Sequence, residues 1–342
     1  MPPMNDLSLA PLDQSQQLAH FCKASSDSLR LMILRVLASD SFGVQELCTI
    51  FSIKQSAMSH HLKVLAQAGL VERRREGNSI FYRRSEPASR AQLQRLQRQL
   101  FVEVDALSIN AEVSQGIERV RCERSQRSQL FFNQNINNFR EQQDLIADYQ
   151  QYSDSVRQML SSLPLSAHGC VVEVGPGAGE FLSELSPRFE QVIALDNSKV
   201  MLEQARDFAD SNKLSNITFI HGDTSDARQQ QLRADCVVMN MVLHHTPSPA
   251  DIFRDVASIM QPGASLLITE LCHHDQEWAR DACGDLWLGF EPSDLDTWAT
   301  AVGLHDGQNV YLALRNGFRI QVRQFYKPTD ATGTRCPLNA NE

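Results

Sequence analysis

In the stretch VVEVGPGAGEFL (171–182) a hydrophobic run ends in an acid and opens into three glycines, Gly175, Gly177 and Gly179. That composition suits a strand running into a tight turn, where a ligand can approach the backbone with no Cβ in the way. The dinucleotide fingerprint GxGxxG sets its third glycine one residue later, where this chain has Glu180. In that fingerprint a helix N-terminus faces a pyrophosphate, and a carboxylate beside it would be unfavourable. Glu173, just before the turn, adds a second negative charge. The pair suits a nucleoside ligand carrying an ammonium group rather than phosphates. Further along, NMVLHHTP (240–247) offers His244 and His245 as a general base, or as pocket lining or turn caps, and Asn240 as a ligand contact or a backbone partner. Cys272, His273, His274 and Cys283 are metal-ligand types, but their spacing fits no standard pattern, so a surface loop is the reading and no metal is expected.

A second chemistry sits in the first third. KQSAMSHHLKVL (54–65) places Gln55, Ser56, Ser59, His60 and Lys63 toward one side of a helix, with Ala57, Leu62, Leu65 and Ala66 able to turn inward. Arg73, Arg74, Arg75, Arg83 and Arg84 cluster just beyond. Base edges are read by side chains on a helix in the major groove, and phosphates are held by Lys and Arg.

Elements must position these residues. Apolar spacing predicts a helix over 16–38, then two short helices over 43–51 and 54–68, closed by Gly69. Strands follow at 70–74 and 79–83 around the turn composition Glu76-Gly77-Asn78. This is the order of a winged helix-turn-helix. A further helix over 88–109 carries a stripe of Leu93, Leu96, Leu100, Val104 and Leu107 suited to pairing across a dimer. Residues 110–165 read as a helical connector, with Tyr149 and Tyr152 either packed or lidding a ligand. From 169 onward strands (170–174, 191–195, 217–221, 235–240, 265–270) alternate with helical segments (181–189, 198–211, 249–261), and 318–328 supplies a last strand. Alternation of this kind predicts an α/β doubly wound, mostly parallel sheet. Trp287, Leu288 and Phe290 either cover its pocket or pack on it. The expected organisation is a disordered 1–15, a DNA-binding and dimerisation domain at 16–109, the connector, a nucleoside-binding domain at 166–330 and a tail at 331–342.

Composition bounds the rest. The 342 residues carry a net charge of −9, yet the first hundred hold 13 Lys+Arg against 8 Asp+Glu and the remainder 19 against 33. Only the first third is expected to meet a polyanion. No apolar run approaches a membrane span and the polar N-terminus has no signal-peptide pattern. The 8 cysteines form no CxxC pair. The expectation is a reduced, cytoplasmic protein with no membrane partner.

Residues 169–270 resemble a class I S-adenosylmethionine-dependent methyltransferase. EVGPGAG (173–179) resembles that family's first motif. Asp196, in IALDNS, matches the acid that holds both ribose hydroxyls. HGDTSD (221–226), with Asp223 and Thr224, resembles the motif whose acid faces the adenine edge. NMVLHHTP and MQPGASLLITE (260–270) match the segments that follow. The resemblance implies a Rossmann-like sheet and S-adenosylmethionine or S-adenosylhomocysteine as ligand. Residues 18–107 resemble the ArsR-type repressors through SAMSHHLKVLAQAGLVERRREGNSIFYR (56–83). That resemblance implies a homodimer on a palindromic double-stranded operator, with His61 structural. Metal-sensing relatives use ELCxC, whereas ELCTI here keeps Cys48 and has Ile50 in the second place. Two functions are therefore expected as alternatives: a regulator with the ligand as effector, controlling methionine or methyl-cycle genes, or an active methyltransferase on an unknown acceptor with an attached reader.

Overall fold

Asp13 starts the first helix. Its carboxylate accepts from the Gln16 N–H at 2.7 Å while the Gln16 side chain accepts from the Asp13 N–H. Because of this capping box, α1 (Gln14–Ser25) begins inside the segment expected to be disordered. The computed structural model describes residues 13–38, 40–76, 79–85, 91–163 and 169–329. Residues 1–12, the hairpin tip Gly77-Asn78 and the tail 331–342 lie outside the described residues. The chain divides into two compact units, Met1–Arg121 and Cys122–Glu342.

In the first unit, α2 (Ser28–Val36) is capped by Asp27, and α3 (Val44–Phe51) turns through Ser52 into α4 (Gln55–Gln67). Gly69, at φ +69°, ends α4, and the Leu70 N–H reaches back to the Leu65 carbonyl at 3.0 Å, the closure a left-handed C-terminal residue permits. β2 (Val71–Glu76) and β3 (Ser79–Arg84) form the hairpin, and a two-residue strand, β1 (Phe42–Gly43), adds to β3. α5 (Ala91–Asp105) follows. Ile33, Leu34, Leu47, Ile50, Met58, Leu62 and Leu65 form the core. Ala57, expected to turn inward, is exposed; Met58 occupies the inward place. The α5 stripe is divided: Val104 is buried and Leu93 and Leu100 pack on the core, while Leu96 and Leu107 are exposed.

The stretch expected as a connector is helical, and the unit boundary falls within it. α6 (Ala111–Ile146) starts in the first unit, where Val113 and Val120 join the core. Gly116 lets it approach α3, since a Cβ there would lie 2.7 Å from the Ile50 backbone.

The second unit contains α7 (Tyr149–Ser162), β4 (Cys170–Val174), α8 (Leu182–Leu185), β5 (Gln191–Asp196), α9 (Lys199–Ser211), β6 (Ile217–His221), α10 (Thr224–Gln229), β7 (Ala234–Asn240), α11 (Pro249–Ile259), β8 (Met260–Leu271), α12 (Trp278–Cys283), α13 (Pro292–Ala301), β9 (His305–Ala313) and β10 (Arg319–Tyr326). The sheet order is β6-β5-β4-β7-β8-β10-β9. The first five strands are parallel; β10 and β9 are antiparallel. Two expectations are corrected in extent. The helix at 181–189 is only the single turn α8, and the final strand has an unexpected partner, β9, whose polar, largely exposed sequence HDGQNVYLA hides its pairing.

Candidate functional site

β4 ends at the glycine turn. Gly175 has φ +66°, and a Cβ there would meet Val242 Cγ2 at 2.6 Å, so only glycine fits. Gly177 has φ +56° with nothing within 4 Å of a Cβ position, leaving an open approach to the backbone. Gly179 admits α9, with Ala205 Cα at 3.0 Å from its would-be Cβ. Glu173, one strand residue earlier, is 2 % exposed. Burial pushes it up to about 8, and Asn240 holds the rise back only in part. Glu173 Oε2 and Asn240 Nδ2 make no hydrogen bond, while Asn240 Oδ1 accepts from the Thr269 hydroxyl at 2.7 Å.

Asp196 ends β5, beside β4. Its Oδ1 accepts from the Ser198 N–H at 2.7 Å. Burial lifts it to about 6, opposed by that N–H and by His221. Asp223 caps α10, accepting from the Ser225 and Asp226 N–H groups at 2.8 and 3.1 Å. Thr224 is buried and its hydroxyl donates to Asp255 at 3.2 Å, an ordinary packing role for a residue expected to touch ligand. Strand order and direction thus bring Glu173, Gly175, Gly177, Gly179, Asp196, Asp223 and Asn240 to the carboxyl ends of four adjacent strands. Tyr149 lies by the same acids. Burial, then Glu184 and Glu173, push its hydroxyl up to about 12. Tyr152 packs against it, with ring centroids 5.8 Å apart, and is buried.

His244 and His245 occupy a 3-10 turn after β7. His244 is buried and its Nδ1 lies 2.5 Å from Glu270 Oε1. Burial alone would lower its pKa, but Glu270 and Asp285 outweigh that and lift it to about 9. His245 is driven well below the usual range by burial and by the charge on His244. Phe132 meets the His245 ring edge-on at 5.0 Å. Trp287, Leu288 and Phe290 are buried, and the Leu286 and Trp287 N–H groups both donate to the His244 carbonyl, at 2.9 and 3.1 Å. Arg124 stacks on Trp287 at 4.8 Å and donates to the Pro247 carbonyl. Cys272 and Cys283 are buried, contrary to the expected surface loop, and His273 and His274 bond locally to the Leu288 carbonyl and the Gln276 N–H. Sequence reading missed Glu270 and Asp285. The only signal for Glu270 was an acid closing the apolar run SLLITE.

In the first unit, Gln55, Ser56, Ser59, His60 and Lys63 are all exposed on α4. Arg73 and Arg75 are exposed on β2, whereas the alternation of the strand turns Arg74 to the half-buried face. Arg83 and Arg84 pair internally, with Glu72 at 3.1 Å and Asp105 at 2.7 Å. His61 is half-buried, 3.9 Å from the helix-capping Asp27.

The methyltransferase-domain family model matches residues 97–312, more than half of the chain, and the model for bacterial regulatory proteins of the arsR family matches 27–73. The chain belongs to the methyltransferase-domain family, with an ArsR-family helix-turn-helix ahead of that domain. On the ArsR side it is similar to a transcriptional repressor SmtB homolog of Synechocystis sp., 38 % identical over 71 residues, covering 21 % of this chain and 54 % of that one. On the methyltransferase side it is similar to a malonyl-[acyl-carrier protein] O-methyltransferase of Marinomonas sp., 29 % identical over 130 residues, covering 37 % and 47 %. The chain thus spans about half the length of these curated relatives. Among solved structures, the magnesium protoporphyrin IX methyltransferase of Synechocystis, with bound SAH, is 18 % identical, covering 60 % of this chain and 99 % of that one at a TM-score of 0.48. Among the described residues no helix is long and apolar enough to cross a membrane.

Proposed function

We propose that this ArsR-type regulator binds S-adenosylmethionine or S-adenosylhomocysteine in its methyltransferase unit, and that the ligand alters the affinity of its reader for a palindromic operator. The observation that carries the reading is the buried Glu173 carboxylate, with an oxygen left unbonded beside an open glycine turn. A buried acid of this kind costs stability unless something cationic completes it, and the ammonium of the ligand's amino-acid end does so. Asp196, at the end of the next strand, would take the ribose hydroxyls. α4 would enter the major groove, and Arg73 and Arg75 would meet phosphates. A homodimer paired through α5 would match the two half-sites, with Leu96 and Leu107 on the exposed face. Ligand control needs the ligand to favour one DNA-binding arrangement; a preference of about 1–3 kcal/mol gives roughly 5–150-fold. Genes of methionine and methyl-group supply are the targets that the ligand chemistry suggests.

A methyl-transferring enzyme is the second reading, supported by the His244–Glu270 pair close to the glycine turn, where Val242 packs on Gly175. Calorimetry of both ligands on the full chain and on Asp196→Ala tests the binding step. Wild type should bind both, and the variant should lose roughly 100-fold or more, since charge-assisted bonds contribute about 1.5–3 kcal/mol each. Equal affinities would remove Asp196 from the site.

A further inference from the structure

Two histidines and an aspartate from separate stretches of the second unit converge in its interior. His244 Nε2 lies 3.9 Å from Asp285 Oδ1, and His245 Nδ1 lies 3.6 Å from the same oxygen. One donor atom from each of the three residues falls within 4.8 Å of the others, and this is the one such group of His, Cys, Asp or Glu among the described residues. Both separations exceed a hydrogen bond. Donors gathered around one zinc ion at about 2.0–2.1 Å in a tetrahedron sit about 3.3 Å apart. Closing the set on an ion therefore asks for shifts of a few tenths of an ångström for the two measured pairs.

The surroundings match such a centre. His244 turns Nε2 toward Asp285 because its Nδ1 meets Glu270 at 2.5 Å. Glu270 is fully buried and is itself fixed by the His244 and Leu271 backbone N–H groups, at 3.2 and 2.6 Å. Metal-ligating histidines commonly give their second ring N–H to a carboxylate, which sets the tautomer and leaves the lone pair on the ligating nitrogen. Two carboxylates buried in one cluster match the two charges of a divalent cation. Asp285 is held across from the histidines by its neighbours, since the Leu286 and Trp287 N–H groups both close on the His244 carbonyl.

We propose that His244, His245 and Asp285 form a binding site for a divalent transition metal of the zinc class, with Glu270 as the outer carboxylate that orients His244. Two imidazoles and one carboxylate favour zinc-like ions over magnesium or calcium, which prefer oxygen-only sets. The ion would tie the loop carrying Asp285 to the segment that walls the glycine turn, two residues beyond Val242. The buried thiols Cys272 and Cys283 are not part of it: the converging donor set is His244, His245 and Asp285 alone. This site stands independently of the ligand assigned to the glycine turn.

The test uses the full chain, stripped with a chelator and titrated with Co²⁺, with Zn²⁺ as competitor. The expected result is stoichiometric cobalt with visible d–d bands of a four- or five-coordinate nitrogen and oxygen site, and no near-ultraviolet thiolate band. Asp285→Asn and His245→Gln should abolish those bands, Glu270→Gln should weaken binding by roughly 10–100-fold, and His305→Gln, on the exposed β9, should change nothing. Failure of the wild type to bind cobalt, a thiolate band, or unchanged binding by Asp285→Asn would each overturn the site. Should the variants not fold, thermal melting of the stripped wild type is the deciding readout: zinc should raise Tm where magnesium does not, and no difference between the two contradicts the proposal.

Discussion

Burial that pushes Glu173 up to about 8 sets two pH dependences that can be measured separately. A carboxyl raised above its ordinary value of 4.5 supports the fold while protonated, and that support is lost as pH rises through 8. Glu173→Gln should therefore raise Tm increasingly as pH climbs from about 5 to 8 and above, and should have little effect near pH 4. Ligand affinity runs the other way. The ammonium needs the ionised acid, so below pH 8 each unit of acidification should weaken S-adenosylhomocysteine binding by about tenfold. A flat titration from pH 6 to 8 would separate Glu173 from the ligand. Glu173 stands out in the sequence as an acid closing an apolar strand before a glycine turn, and the structure buries it there. Its counterpart Glu270 closes an apolar strand in the same way, but its partner His244 lies 26 residues away in the chain, and no spacing rule joins them. Thr224 sits in the matching motif, and its hydroxyl donates to Asp255 on another helix.

At the scale of elements, close approaches decide what the reader tolerates. α6 meets α3 at Gly116, where a Cβ would lie 2.7 Å from backbone atoms of Ile50. Backbone cannot rotate aside as a side chain can, so Gly116→Val should destabilise the first unit by about 1–3 kcal/mol, seen as a lower Tm in that unit's transition. An unchanged Tm would show that the helices part without cost. The wing makes a sharper prediction than sequence allowed. Five arginines looked equivalent there, but strand alternation and the Glu72 and Asp105 pairs leave Arg73 and Arg75 as the outward cations. Arg73→Ala with Arg75→Ala should lower the slope of log K against log salt by about 2, while Arg84→Ala should leave that slope unchanged. An unchanged slope in the double variant would take the wing off the DNA. α4 was legible because Leu62 and Leu65 recur at helical spacing and Gly69 stops the helix. β9 was not, because HDGQNVYLA is largely exposed and lacks the alternation of a half-buried strand.

The whole molecule joins an ArsR-family helix-turn-helix to a methyltransferase-family domain. The charge division supports the pairing, since the basic excess is confined to the first hundred residues. The order of the two families along the chain was legible from motifs alone, but whether the second unit senses or transfers depends on coupling that no motif carries. The direct measurement is the affinity of the full chain for DNA from its own upstream region, taken ligand-free, with S-adenosylmethionine and with S-adenosylhomocysteine. A sensor-regulator should show at least a roughly fivefold change with one of the two ligands, and Asp196→Ala should erase it. Tight operator binding that is indifferent to both ligands, in a protein shown by calorimetry to bind them, would contradict the effector reading.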